Sequence, residues 1–347
     1  MRNTVKLAGG MLKSAVLRKP SLKIVSLYLT YRCNQRCAYC GFPDMVMSEL
    51  TTSQWENVID QLANLGCRRV GILGGEPLLR SDLQAIIAHV KRRGMSCVLT
   101  SNGLLVPERI EELRQLDHLV LSLDAAGPEN DLLRGQGSYA AVKEAMAAAK
   151  AAGIAVKINA VLSANTASNL DGLLSFVEEN EIYITINIAR RNPSEQLYFS
   201  AEPGDRDEKM REMLTKIARL TRSRSRIVFS EASYLYASRW KDFSINRYQV
   251  DELSSDDPCL INGPHCQAGR FYMSILPDGS TSPCVVTIGE IQGGNVIQDG
   301  VAGAWKSLVD HKCGACNALC SIEQNYLFSL HPRVLTNFVA RHLPRFS

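Results

Sequence analysis

The 347-residue sequence predicts an α/β fold built on a parallel sheet. Three observations carry that expectation. Six strand-like apolar runs alternate with stretches of helical periodicity, which implies parallel pairing through crossover helices. Polar motifs recur just after those runs, where parallel α/β folds gather their chemistry. The first run leads straight into Cys33-Asn34-Gln35-Arg36-Cys37-Ala38-Tyr39-Cys40, which places three thiols within reach of one loop.

The elements follow in order. Ile24 to Leu29 is the first strand, and beyond the cysteine loop Thr52 is placed to cap a helix. Its apolar positions Trp55, Val58, Ile59, Leu62 and Leu65 recur at helical spacing. Strand Arg69 to Leu73 enters Gly74-Gly75-Glu76-Pro77. A helix over Ser81 to Arg93 precedes strand Ser96 to Thr100, and a helix from Pro107 precedes strand His118 to Leu123. The alanine-rich stretch 138–152 precedes strand Ile154 to Leu162, and a helix near 168–179 precedes the sixth strand, Tyr183 to Ile188.

The second half changes character. A polar helix at about 205–222 is followed by an aromatic, poorly periodic stretch with Tyr234, Tyr236, Trp240, Phe243 and Tyr248, for which periodicity gives no element. Arg270 to Ile275, the turn Pro277-Asp278-Gly279 and Ser280 to Val286 read as a hairpin. Cys266, Cys284, Cys313, Cys316 and Cys320 flank or follow it, with Cys259 just upstream.

Composition excludes some classes of function. No stretch approaches the ~20 uninterrupted apolar residues of a membrane span. There is no apolar signal-peptide core either, so the 11 cysteines are expected in a reducing compartment, the cytoplasm. Net charge is +4, yet residues 1–23 carry six basic side chains and no acid, and residues 331–347 carry three and no acid. Without those nine, the body has 30 basic against 35 acidic side chains, which argues against a nucleic-acid groove. Both basic ends are also amphipathic. Leu7, Met11, Leu12, Ala15 and Val16 share one face, and Leu327, Leu330, Val334, Phe338 and Leu343 another. Such helices either lie on an anionic surface, here the inner membrane face, or pack against the domain.

Thiolates are soft ligands suited to iron–sulfur clusters, zinc or copper(I). Four satisfy every iron of a cubane and three leave one iron open. A structural zinc loop is the alternative, but a closed zinc site needs a fourth nearby ligand. Cys67 and Cys97 lie in or beside apolar runs and read as buried small hydrophobes.

The C-x3-C-x2-C spacing with Tyr39 before the third cysteine, followed some 34 residues later by Gly-Gly-Glu-Pro, resembles the radical S-adenosylmethionine (radical SAM) enzymes. That resemblance implies a partial (β/α)6 TIM-like barrel. It also implies a 4Fe-4S cluster held by Cys33, Cys37 and Cys40, with SAM on the open iron. By the same resemblance Tyr39, Gly74, Gly75, Glu76 and Asn102 line the SAM site. Ser122 and Asp124 approach the SAM carboxylate and ribose, and Arg134 pairs with the carboxylate. The late cysteines resemble a SPASM or twitch extension, with Cys266, Cys284, Cys313 and Cys316 holding an auxiliary 4Fe-4S cluster, and Cys320 or Cys259 as substitutes. A zinc ribbon on the same four residues is the alternative.

The implied domains are a basic segment 1–23, a radical SAM core 24–225, an auxiliary-cluster domain 226–325 and a basic tail 326–347. The implied chemistry is reductive cleavage of SAM to a 5′-deoxyadenosyl radical that abstracts hydrogen, fed by a reductant such as flavodoxin or ferredoxin. An auxiliary cluster favours an oxidoreductase outcome on a small-molecule or lipid-linked substrate. The alternatives are a peptide-modifying maturase and a non-catalytic iron–sulfur or zinc protein. No general base is named by the sequence.

Overall fold

The structure, a computed structural model, describes residues 19–189, 203–223, 226–254, 257, 263–311 and 313–342. All six expected strands are present: β1 (Ile24–Tyr28), β2 (Arg69–Leu73), β3 (Ser96–Ser101), β4 (His118–Ser122), β5 (Val156–Leu162) and β6 (Tyr183–Ile188). They pair in parallel, each with the next in sequence. The sheet continues further than the periodicity suggested. Past the two-residue β7 (Arg247–Tyr248) come β8 (Tyr272–Ile275), which pairs in parallel with the free side of β1, and β9 (Thr281–Ser282), antiparallel to β8. The order is β6-β5-β4-β3-β2-β1-β8-β9, so the expected C-terminal hairpin is built into the main sheet. A separate two-stranded ribbon joins β7 to β10 (Ala315–Cys316).

Helices α1 (Thr52–Asn64), α2 (Leu83–Arg92), α3 (Glu129–Arg134), α4 (Ser138–Ala151) and α5 (Leu170–Glu179) fill the crossovers. The alternation along each strand decides what they cover. On β2, Val70 and Ile72 are buried while Arg69, Gly71 and Leu73 are half-buried, and β5 alternates in the same way. The buried set joins Trp55, Ile59, Leu62, Ile86 and Val90 in one apolar core between sheet and helices. The half-buried set faces the inside of the curved sheet, where Thr185 and Asn187 both donate to Asn159 Oδ1, at 2.9 and 2.8 Å.

Two sequence expectations are corrected. Thr51 caps α1, not Thr52: its extended backbone lets its hydroxyl accept from Gln54 N while the Gln54 side chain reaches back to Thr51 N. The helix expected from Pro107 is only a 3-10 turn, Ile110–Leu113. There Arg109 bonds the carbonyls of Leu78 and Arg80 and the Glu112 carboxylate, which pins the crossover before a helix can develop.

The aromatic stretch is ordered around α7 (Glu231–Ala237), after α6 (Pro203–Ser223). Tyr234 and Trp240 are fully buried, and the Tyr234 hydroxyl donates to Ile186 O at 3.1 Å. α8 (Gly300–Lys306), α9 (Leu319–Phe328) and α10 (Pro332–His342) complete the chain. In α9 and α10 the amphipathic face takes the second of its two expected uses, packing inside the fold. Leu327 and Val334 are buried and Phe338 packs against the core, so this face is not free for lipid. The N-terminal face of Leu7, Met11, Leu12, Ala15 and Val16 lies outside the described residues, as do Cys259 and Leu343. Among the described residues no helix is long and apolar enough to cross a membrane.

Trp55 is fully buried with its indole N–H lacking a partner. Trp55→Ala is therefore expected to cost about 3–5 kcal/mol in urea unfolding. Trp55→Phe is expected to cost less, because it removes an unsatisfied donor along with the volume.

Candidate active site

The cysteine loop leaves the carboxyl end of β1 and is fixed from beneath by the turn after β2. Gly75 N donates to Thr30 O and Glu76 N to Arg32 O, both at 2.8 Å. A Cβ at Gly74 would lie 2.3 Å from Thr30 O, and one at Gly75 would lie 2.3 Å from Arg32 O. Gly74 also sits at φ +154, which L-residues rarely adopt. The double glycine is therefore required by the approach of two backbones within the protein, a demand additional to the ligand approach that the sequence suggested.

Glu76 turns inward. Fully buried, its carboxylate accepts from Leu78 N (3.1 Å), Ser101 Oγ (3.1 Å) and Asn102 N (2.8 Å). Burial pushes its pKa up to about 7 against the pull of those donors. The carboxylate thereby orders the end of β3, and Asn102 carries the order onward: its amide nitrogen donates to Asn34 Oδ1 at 2.8 Å and reaches Cys33 Sγ at 3.9 Å.

The opposite wall comes from β4 and α3. Asp124 is fully buried and accepts Arg134 Nε (2.7 Å) on one oxygen and Arg134 Nη2 (3.0 Å) on the other. Tyr39 OH donates to the same carboxylate at 2.8 Å, and so does Val161 N at 2.8 Å. The Arg134 guanidinium lies over the Tyr39 ring, 5.5 Å from its centroid, and Nη1 points to Cys37 Sγ at 4.0 Å. Burial alone would lower the Arg134 pKa; Asp124, with Tyr39 and Cys37, raises it overall. Asn130 accepts from Asp124 N at 2.9 Å, a role nothing in the sequence marks, and Ser101 was likewise missed. Ser122 closes β4 in register with Asn159.

Cys33, Cys37 and Cys40 are half-buried and close enough for Cys37 to feel the charge of both others. As a free thiol, Cys37 is pushed up to about 11 by burial, while Arg134 pulls it down. Three soft donors in one loop, flanked by Asn102 and Arg134 as donors to sulfur, fit a cluster with one open iron.

The late cysteines also converge. Cys266 feels Cys313, Cys284 and Cys316, and Tyr272 feels Cys266, Cys284, Cys316 and Cys320, so five thiols share one region. The interaction with Cys313, with burial added to it, pushes the Cys266 thiol well above its ordinary value. His311 Nε2 lies 3.7 Å from Cys266 Sγ, a neighbour the motif did not announce. Among the described residues no group of three His, Cys, Asp or Glu side chains could hold a single metal ion. A cubane spreads its thiolates over four irons. Cys67 and Cys97 are buried in the apolar core, as expected.

Glu76 generates a pH prediction. Its folded pKa of about 7 lies above the ordinary 4.5, so its contribution to stability is full below about 4.5 and is lost as pH rises through about 7. Urea midpoints of the metal-free chain are expected to fall across that window. Glu76→Gln is expected to flatten the slope whatever it does to absolute stability.

Comparison with known proteins follows this geometry. Residues 27–177 match the family model described as the Radical SAM superfamily. The chain is 33% identical over 170 residues to the PqqA peptide cyclase of Xanthomonas euvesicatoria pv. vesicatoria, covering 46% of this chain and 45% of that protein. It is 38% identical over 141 residues to the PqqA peptide cyclase of Streptomyces rochei, covering 39% of each. The chain thus spans less than half the length of the curated relatives it matches. Among solved structures it resembles Streptococcus suis SuiB bound to S-adenosylmethionine (TM-score 0.65, 19% identity, 85% of this chain and 68% of that one). It also resembles anSMEcpe with bound AdoMet and the Cp18Cys peptide (TM-score 0.61, 16% identity, 92% and 99%). At such identities these two show the shared fold. Cysteine loop, glycine turn and parallel sheet agree with the family match: residues 27–177 carry the match to the Radical SAM superfamily, a family whose cofactors are a 4Fe-4S cluster and SAM.

Proposed function

We propose that this chain is a radical SAM enzyme that modifies a peptide. The observation that carries the enzymatic part is the three-thiol loop at the carboxyl end of β1, cradled by Asn102 and by the Asp124–Arg134 pair. Cys33, Cys37 and Cys40 would hold the cluster, and Tyr39, Gly74, Gly75, Glu76, Asn102 and Ser122 would shape the SAM site around it. With both bound, the cofactors supply one-electron cleavage of SAM and hydrogen abstraction from a C–H bond. The chain's own residues orient the loop and exclude water, and a flavodoxin- or ferredoxin-type reductant feeds the site.

The peptide part draws its support from relatives named for peptide cyclisation and from the fold shared with SuiB and anSMEcpe. It displaces the small-molecule or lipid-linked substrate that the sequence put first; the packed face of α10 also removes one motive for a lipid. Cys266, Cys284, Cys313 and Cys316 would hold a second cluster, with Cys320 as an alternative ligand, and such a site supplies electron transfer. That suits an oxidative outcome such as bond formation within the peptide. The unit would comprise the core and a twitch- or SPASM-like region over 226–325.

Three measurements test this. Cys33→Ala, Cys37→Ala or Cys40→Ala is expected to abolish reductive formation of 5′-deoxyadenosine, and turnover at the wild-type rate in any of them would defeat the radical SAM reading. Anaerobic reconstitution is expected to yield about eight irons per chain, falling toward about four in Cys316→Ala; four irons with one zinc would favour the ribbon. For the substrate, deuterium from labelled peptide pools is expected in 5′-deoxyadenosine. Label arriving only from lipid or small-metabolite pools would overturn the peptide part.

A further inference from the structure

The buried pair Asp124–Arg134 is more heavily engaged than a SAM-contact role requires. Arg134 places Nε and Nη2 on the two oxygens of Asp124 and aims Nη1 at Cys37 Sγ, 4.0 Å away. Asp124 in turn holds Tyr39, two residues from Cys37, through a 2.8 Å bond. The side chains are 7% and 0% exposed, so neither charge is screened by bulk water. One charge of each sign therefore sits in low dielectric beside the middle cysteine of the loop, with the positive end nearer the sulfur.

We propose that Arg134 and Asp124 are positioning residues whose opposed charges set the reduction potential of the cluster held by Cys33, Cys37 and Cys40. This rests on the radical SAM reading above. Reduction adds an electron to an already anionic thiolate-ligated cluster, so a fixed positive charge beside a ligand sulfur favours the reduced state and a fixed negative charge opposes it. Arg134, aimed at the sulfur, raises the potential, and Asp124 behind it moderates the rise while fixing the guanidinium. A chain of single hydrogen bonds to the loop would only hold it still. Two opposite charges make a signed prediction that a purely structural role does not.

The test is a redox titration of the anaerobically reconstituted full-length chain, read by electron paramagnetic resonance on the signal that added SAM perturbs. Arg134→Gln is expected to shift the potential negative and Asp124→Asn to shift it positive. The double variant, which restores charge balance, is expected to return close to wild type, as the sum of two opposed shifts. Arg134→Lys keeps the charge and is expected to stay near wild type even where thermal stability falls. The double variant also guards against misfolding, because it leaves no buried charge without a partner. Single variants that leave the potential unmoved, or move it the same way, overturn the proposal, and so does a double variant further from wild type than either single one. A wild-type chain with no SAM-sensitive signal is a separate outcome: it overturns the radical SAM reading, and this inference falls with it.

Discussion

The close approach of two backbones, Gly74–Gly75 against Thr30–Arg32, is the constraint on which the rest of the site depends. Two hydrogen bonds of 2.8 Å cross that contact, and no side chain larger than hydrogen fits there. Because the turn belongs to β2 and the loop to β1, the parallel pairing of those strands delivers both partners to one spot. Once the contact forms, Glu76 has nowhere to go except into the protein, where it meets Ser101 and the backbone of Asn102. The third strand is thereby locked to the second, and Asn102 is aimed at Cys33. A single steric condition propagates through three strands to one sulfur.

The other side of the loop is organised by charge instead of close packing. Removing Asp124 and Arg134 from water is expensive, and the partners offset it: Tyr39 and Val161 complete the satisfaction of the Asp124 carboxylate, while Asn130 takes its backbone N–H. Partial satisfaction would be worse than none, so the network is expected to form as a unit. Rigid glycine packing on one flank and a satisfied ion pair on the other leave the thiols little freedom before any iron arrives. Such preorganisation suits a site that must present one iron and no more.

The C-terminal region extends this design. Because β8 pairs with β1, the second group of thiols is tied to the same strand that ends in the first group. The separation between the two groups is then governed by one sheet and not by a linker. A second cluster on those thiols would therefore keep a fixed distance from the first, which a tethered domain would not.

The sequence by itself determined the strands, the thiols and the glycine turn. Strand alternation and cysteine spacing are local signals, so β2 and β6 could be placed to the residue and Cys33, Cys37 and Cys40 named without coordinates. Asn102 was visible only because it follows a strand. Tertiary structure decided what no local pattern encodes: that Thr51 and not Thr52 caps α1, and that Arg109 pins the crossover before β4 as a single turn. It also decided that β8 and β9 extend the main sheet, that α10 covers core and not lipid, and that Asn130 and His311 belong to the sites. It also gave Gly74, Gly75 and Glu76 a packing role inside the protein that the motif does not announce. Composition and period report which face of an element is apolar; they do not report which distant segment will bury it, and every one of these features depends on that choice of partner.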